Sequence, residues 1–236
     1  MIIYGRNAVR EALKAGKVVT LHALGRLGKD EVVSLARANQ IQVKLADESS
    51  LTKMAKNPSH QGFVAICQDI EPVSLDALIQ KASQSKYPLL LMLDGIEDPH
   101  NLGAILRSAD ALGVDGIIIK NRGEAPLNST VAKVSTGAIC WVDVCAVTNL
   151  NQAIEKLKLK GYWVVASDGE ARQSYDEVDY RCPIVLIVGS EGFGISRLVL
   201  KNSDFIVKIP MVGHVNSLNA SVSSAILLAQ IALSRK

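Results

Sequence analysis

No stretch of this 236-residue chain reaches the roughly eighteen consecutive apolar residues that a membrane-spanning helix needs, so no span is expected. The opening MIIYGRNAVREALKAG carries charge but lacks the apolar segment of a secretory leader, and is not expected to be one. Cysteine is scarce: Cys67, Cys140, Cys145 and Cys182 form no CxxC pair, which excludes a disulfide scaffold or a zinc ribbon. They are expected to be small buried apolar residues in a reducing, cytoplasmic setting. His22, His60, His100 and His214 fall in no metal-ligand spacing either, so no metal site is expected. A strong charge of one sign is also missing, the net charge being +3. Its distribution is uneven: residues 1–70 carry +4 and the rest −1, which fits a basic RNA-docking module beside a near-neutral one and equally the solvated surface of a small domain.

What is present is an α/β pattern. Residues 1–70 read as a small α/β unit, with helices over Asn7–Ala15, Asp30–Asn39 and Ser50–Lys56 and strands over Val18–Leu24, Ile41–Leu45 and Phe63–Cys67. Residues 71–87, with a short amphipathic helix at Leu75–Ala82, read as a linker. From Pro88 to the end, apolar runs alternate with helical segments, the signature of a mostly parallel sheet. Its strands are expected at Leu89–Leu93, Gly116–Lys120, Trp141–Val144, Tyr162–Ser167, Ile184–Val188 and Phe205–Ile209. The runs are continuous rather than alternating, as when helices cover both faces. The last helix, Asn219–Ser234, is apolar nearly all round, so it needs cover on a second side; a second copy of the chain is the expected cover.

Chemistry is expected in the loops after three strands, because ligands gather at the carboxyl ends of a parallel sheet. After Leu89–Leu93 comes Asp94-Gly95-Ile96-Glu97-Asp98-Pro99-His100-Asn101, in which Asn101 reads as the cap of the next helix. Arg107, two turns further on, borders an apolar face and is expected to serve a phosphate or a carboxylate. Gly189-Ser190-Glu191-Gly192-Phe193-Gly194 spaces its glycines as G-x-x-G-x-G, which is not the dinucleotide fingerprint, and no Walker A motif occurs. Such glycines let main-chain groups approach a ligand closely. The last loop offers His214, Asn216, Ser217 and Asn219 ahead of the final helix; Ser217 or Asn219 can cap it.

Asn101-Leu102-Gly103-Ala104-Ile105-Leu106-Arg107, Leu186–Gly194, and Ile209-Pro210-Met211 followed by Ser217-Leu218-Asn219-Ala220-Ser221 resemble the three motifs of the SpoU (TrmH) branch of the SPOUT RNA methyltransferases. The start Tyr4–Leu13 and His60-Gln61-Gly62 resemble the L30e-like substrate-binding domain of the RlmB-type members, which methylate a guanosine 2′-hydroxyl in 23S rRNA. The resemblance implies an α/β fold: a trefoil-knotted, mostly parallel sheet with helices on both faces (88–236) behind an L30e-like domain (1–70). It also implies a homodimer and S-adenosylmethionine held largely by main chain at Gly189, Ile209 and Leu218, with Gly194, Thr136 and Gly137 nearby. Central roles fall to Asn101, Arg107, Glu191, Ser217 and Asn219. The family has viewed the arginine as a base; a guanidinium keeps its proton, so a phosphate clamp is expected instead. Transfer RNA is the alternative substrate, and a non-catalytic RNA-binding dimer the alternative of another class.

Overall fold

A computed structural model describes residues 1–236. The chain forms two compact units, one of residues 1–71 with 126–141, the other of residues 72–125 with 142–236.

The first unit begins with β1 (Ile2–Tyr4), α1 (Arg6–Lys14), β2 (Val18–Leu24), α2 (Glu31–Ala38), β3 (Gln42–Ala46), α3 (Glu48–Ala55) and β4 (Phe63–Cys67). The sheet runs β1-β4-β2-β3; β4 is antiparallel to both its neighbours and β2 is parallel to β3. Helix α1 buries Ala8, Val9, Ala12 and Leu13, one stripe at helical spacing. Asp30 and Asp47 cap α2 and α3 by accepting from Val32 N and Ser50 N.

The second unit opens with α4 (Leu75–Ala82), which is no spacer. Leu78, Ile79 and Ala82 enter the main core, because an amphipathic helix this short holds its shape only by packing. Then come β5 (Leu89–Asp94), α5 (Pro99–Ala111) and β6 (Gly116–Lys120). The chain next crosses to the first unit for α6 (Ser129–Val134) and a 3₁₀ turn at Ala138–Cys140. It returns for β7 (Val144–Val147), α7 (Leu150–Leu159), β8 (Trp163–Ser167), β9 (Gln173–Ser174), β10 (Ile184–Gly189), α8 (Arg197–Lys201), β11 (Phe205–Lys208) and α9 (Ala220–Ser234). Strand β7 starts three residues later than expected, since residues 138–140 coil into the 3₁₀ turn and Trp141 is half exposed.

The sheet order is β7-β6-β5-β10-β8-β11-β9, and every pairing is parallel. Strand β10 inserts between β5 and β8, so the order of connections reverses there. Alternate residues of these strands face opposite sides. Leu90, Met92, Val185 and Ile187 pack with α4, α7 and α8, while α5 and α9 pack on each other, and α9 on β10, across the other face. Arg235 fixes the end of α9, its guanidinium donating to Tyr87 O at 2.7 Å, Tyr180 O at 2.8 Å and Cys182 O at 3.0 Å. All four cysteines are unpaired; burial pushes the Cys67 thiol up to about 12 and Cys140 to about 11, so both are inert.

Candidate active site

Strands β5 and β10 are registered so that Gly189 lies beside Asp94. Their carboxyl ends therefore release two loops side by side at the point where strand order reverses, the usual place for a ligand in an open parallel sheet.

Asp94 joins the two loops. Its carboxylate accepts from Lys120 Nζ at 2.8 Å and from Ser196 N at 2.8 Å, while its carbonyl accepts from Ser190 N at 3.1 Å. Burial alone pushes this carboxyl up, yet the hydrogen bonds and charge of Lys120 and the Ser196 amide outweigh it, and the group sits below the usual carboxylate range. Glu124 grips the first loop from the other side, its two oxygens accepting from Gly95 N and Ile96 N, each at 2.7 Å. Burial raises the Glu124 carboxyl despite those two amides.

Helix α5 starts at Pro99, and its cap is Asp98, which accepts from His100 N at 2.8 Å. Proline suits this first position because its missing N–H would be unsatisfied there anyway. Asn101 is thus not the cap expected from the sequence; it sits inside the first turn with a free side chain. That side chain donates to Glu191 Oε1 at 2.9 Å and accepts from Asn219 Nδ2 at 2.9 Å. Asn219 Nδ2 also donates to Glu191 Oε1, while its Oδ1 caps α9 by accepting from Ser221 N at 2.9 Å and Val222 N at 3.3 Å. Asn101, Glu191 and Asn219 form a closed triangle drawn from three motifs whose outer members are 118 residues apart.

Two cavities adjoin this triangle. One, of about 500 Å³, is lined by the 94–98 loop, Asn101 and Lys120. The other, of about 440 Å³, is lined by Gly189, Ile209, Met211, Ser217 and Leu218. Residues 190–194 and Ala220 line both, so the glycine-rich loop is their common wall. The loop is pinned on itself by Gly194 N donating to Ser190 O at 2.9 Å.

Of the expected cofactor residues, Gly189, Gly194, Ile209 and Leu218 line the smaller cavity, and so does Ser217. Thr136 and Gly137 do not. They lie in the first unit, where a Cβ on Gly137 would stand 2.7 Å from Glu11 Cβ and 3.1 Å from Ala8 O, so the glycine serves close packing against α1. Arg107 is exposed on α5 and lines neither cavity. Reading the sequence overlooked Asp168 and Glu170, which line the smaller cavity. They follow β8, so the strand-end rule that located the other loops applied to them too.

A parallel α/β sheet with two adjoining cavities at its reversal point, sharing the 190–194 wall, has the layout of an enzyme that brings two ligands together. The SpoU rRNA methylase family model matches residues 88–229, and a model for RNA 2′-O ribose methyltransferase substrate binding matches residues 2–73. A Staphylococcus saprophyticus protein assigned to the TrmH family of tRNA/rRNA methyltransferases is 44% identical, over 98% of this chain and 94% of its own. The AdoMet-bound rRNA methyltransferase from Sinorhizobium meliloti is 25% identical with a TM-score of 0.80, over 98% of this chain and 85% of that one. The SpoU methyltransferase AviRb from Streptomyces viridochromogenes, solved with AdoMet, shares the fold at a TM-score of 0.84 and 22% identity, over 100% of this chain and 90% of that one. The chain belongs to the SpoU rRNA methylase family and is an RNA 2′-O-ribose methyltransferase.

Glu191 carries the triangle, so Glu191→Ala is expected to lower turnover about a hundredfold, the usual cost of removing a preorganised polar group. Because Glu191 is exposed, the thermal midpoint should move little. Methyl-transfer assays beside thermal unfolding check this; unchanged turnover would remove the triangle from the mechanism.

Proposed function

We propose that this enzyme methylates the 2′-hydroxyl of a guanosine in 23S rRNA, using S-adenosylmethionine and acting as a homodimer. The observation that carries the reading is the pair of cavities sharing the 190–194 wall, one suited to a methyl donor and the other to a nucleotide.

The smaller cavity fits S-adenosylmethionine. Its volume is within the range of cofactor sites. Val188, Ile195, Ile209 and Leu218 supply an apolar bed for an adenine ring, and Gly189 lets main chain close in. The carboxylates of Asp168 and Glu170 suit ribose hydroxyls and a cationic ligand. When bound, this cofactor supplies an electrophilic methyl group on a sulfonium. The triangle of Asn101, Glu191 and Asn219 then orients the incoming ribose, and alignment of the two partners is the main catalytic device. Ser217 lies at the cavity edge, where its hydroxyl can bind either ligand.

Arg107 serves the RNA backbone outside the cavities. Exposed on α5, it can grip a backbone phosphate with its fork while keeping its own proton. The hydroxyl proton leaves through phosphate or water. Arg107→Lys keeps the charge but loses the fork, and turnover on rRNA is expected to fall about tenfold or more with cofactor binding unchanged. Wild-type turnover in that variant would show that two-pronged geometry is unimportant.

The substrate-binding match over residues 2–73 and the basic balance of residues 1–70 support an rRNA target recognised by a separate domain. Val222 and Leu233, 45% and 60% exposed on α9, support burial against a second copy. Mass-spectrometric mapping of ribose methylation in rRNA and tRNA, with and without the gene, tests the whole reading. Loss of one 2′-O-methylguanosine from 23S rRNA is expected, and a loss confined to tRNA overturns the substrate.

A further inference from the structure

Resting on that reading, we propose that the 500 Å³ cavity receives the base of the target nucleotide, with Glu97 accepting from the guanine Watson–Crick edge and Phe193 stacking on the ring. The charge of the cavity decides against the backbone as its occupant. Asp94, Glu97, Asp98 and Glu191 line it, and its one lysine, Lys120, is already bound to Asp94 at 2.8 Å. A phosphate would meet net repulsion there, whereas an uncharged ring bearing N–H donors would not.

Three of the four carboxylates are committed within the chain. Asp94 accepts from Lys120 and Ser196 N, Asp98 caps α5, and Glu191 holds Asn101 and Asn219. Glu97 accepts no hydrogen bond from the chain. The turn that carries it is nevertheless rigidly held, since Glu124 binds the amides of the two residues just before it. A carboxylate whose own turn is clamped, and whose oxygens are free at a cavity wall, is a preorganised acceptor.

The chemistry of the bases then selects one. A carboxylate offers two parallel acceptors. Guanine presents two adjacent donors, N1–H and N2–H, on a single edge. Adenine and cytosine set one amino group beside an acceptor nitrogen, and uracil sets one N–H between two carbonyls. Guanine alone uses both oxygens of Glu97.

Phe193 supplies the other half of the site. It is 97% exposed, sits between Gly192 and Gly194, and stands on the wall common to both cavities. Nothing in the chain covers its ring, and an uncovered aromatic at the mouth of a nucleotide site is a stacking platform for an extruded base. With the base in this cavity, its ribose falls at the shared wall beside Asn101 and Glu191, next to the methyl-donor cavity.

The test uses 23S rRNA transcribed in vitro, isotopically labelled S-adenosylmethionine, and nucleoside analysis after nuclease digestion. Glu97→Gln, which places an amide donor against the guanine donors, and Phe193→Ala are each expected to lower kcat/KM about tenfold or more. Phe193→Tyr should retain most activity. Calorimetric affinity for S-adenosylmethionine should be the same in Glu97→Gln and the wild type; because Phe193 also borders the donor cavity, its variants are compared at saturating S-adenosylmethionine. Wild-type kcat/KM in both Glu97→Gln and Phe193→Ala overturns the base site while leaving the methyltransferase reading intact, as does a wild-type product methylated on any nucleoside other than guanosine. A wild type that fails to bind S-adenosylmethionine, or methylates nothing in the transcript, overturns the parent reading and this one with it.

Discussion

Gly189→Ala is expected to eliminate S-adenosylmethionine binding, weakening it at least about a hundredfold, well beyond the few-fold effect of an ordinary surface substitution. Gly189 closes β10, and its Cα hydrogen faces the returning end of the 190–194 loop. An added methyl would overlap the Gly194 carbonyl and stand 2.5 Å from Ile195 N. Both are main-chain atoms, so no side chain can swing away to make room. The loop would have to give up the bond between Gly194 N and Ser190 O, and with it the wall common to both cavities. Overpacking of this kind costs about 1–3 kcal/mol, and the damage falls on the loop rather than on the deep sheet. Calorimetry with S-adenosylmethionine, beside thermal unfolding, separates the two effects. A folded Gly189→Ala protein with native affinity would show that the cofactor does not lie against this loop.

The second large effect is expected on truncation. A chain beginning at Pro72, which keeps every residue of the SpoU methylase match, should fail to give soluble, cooperatively folding protein. The reason is the excursion of residues 126–141 into the first unit. There Val131 and Ala132 are fully buried, Ile139 is 2% exposed, and Lys133 donates to Ser59 O at 3.0 Å. Without residues 1–71 these groups would form a bare apolar patch, an aggregation liability. A companion chain with 126–141 replaced by a short glycine–serine linker should recover solubility, as measured by size-exclusion chromatography and thermal unfolding. A soluble, cooperative chain from Pro72 with the excursion intact would disprove the dependence.

Much of this was legible in the residues. The apolar runs that became β5, β6, β8 and β10 were unmistakable because central parallel strands are buried on both faces and carry no alternation to confuse the pattern. The motif glycines and amides were legible because they cluster at strand ends. The excursion was not: Val131 and Ala132 make the same apolar stripe whichever unit covers it, and periodicity records that a face is buried, not by what. Asn101 was read as a cap because asparagine before an apolar run usually is one, yet Asp98 with Pro99 starts the helix three residues earlier and frees Asn101 for Glu191. Thr136 and Gly137 were drawn to the cofactor by motif likeness, where local geometry assigns Gly137 to packing against α1. Strands β1 and β9, of three and two residues, are too short for any period to show.

Asn219 holds α9 with one end of its amide and Glu191 and Asn101 with the other. On the proposed role of the triangle, selection would read this position twice, once for fold and once for chemistry. Losing its side chain removes a helix cap, about 1 kcal/mol, in the same event that opens the triangle. Drift toward alanine cannot trade activity for stability here, because both fall together. At Glu191, which touches α9 only through a long 3.5 Å bond from Ala220 N, the two can diverge, and an inactive yet well-folded descendant of this enzyme would be expected to arise by change at Glu191 before Asn219.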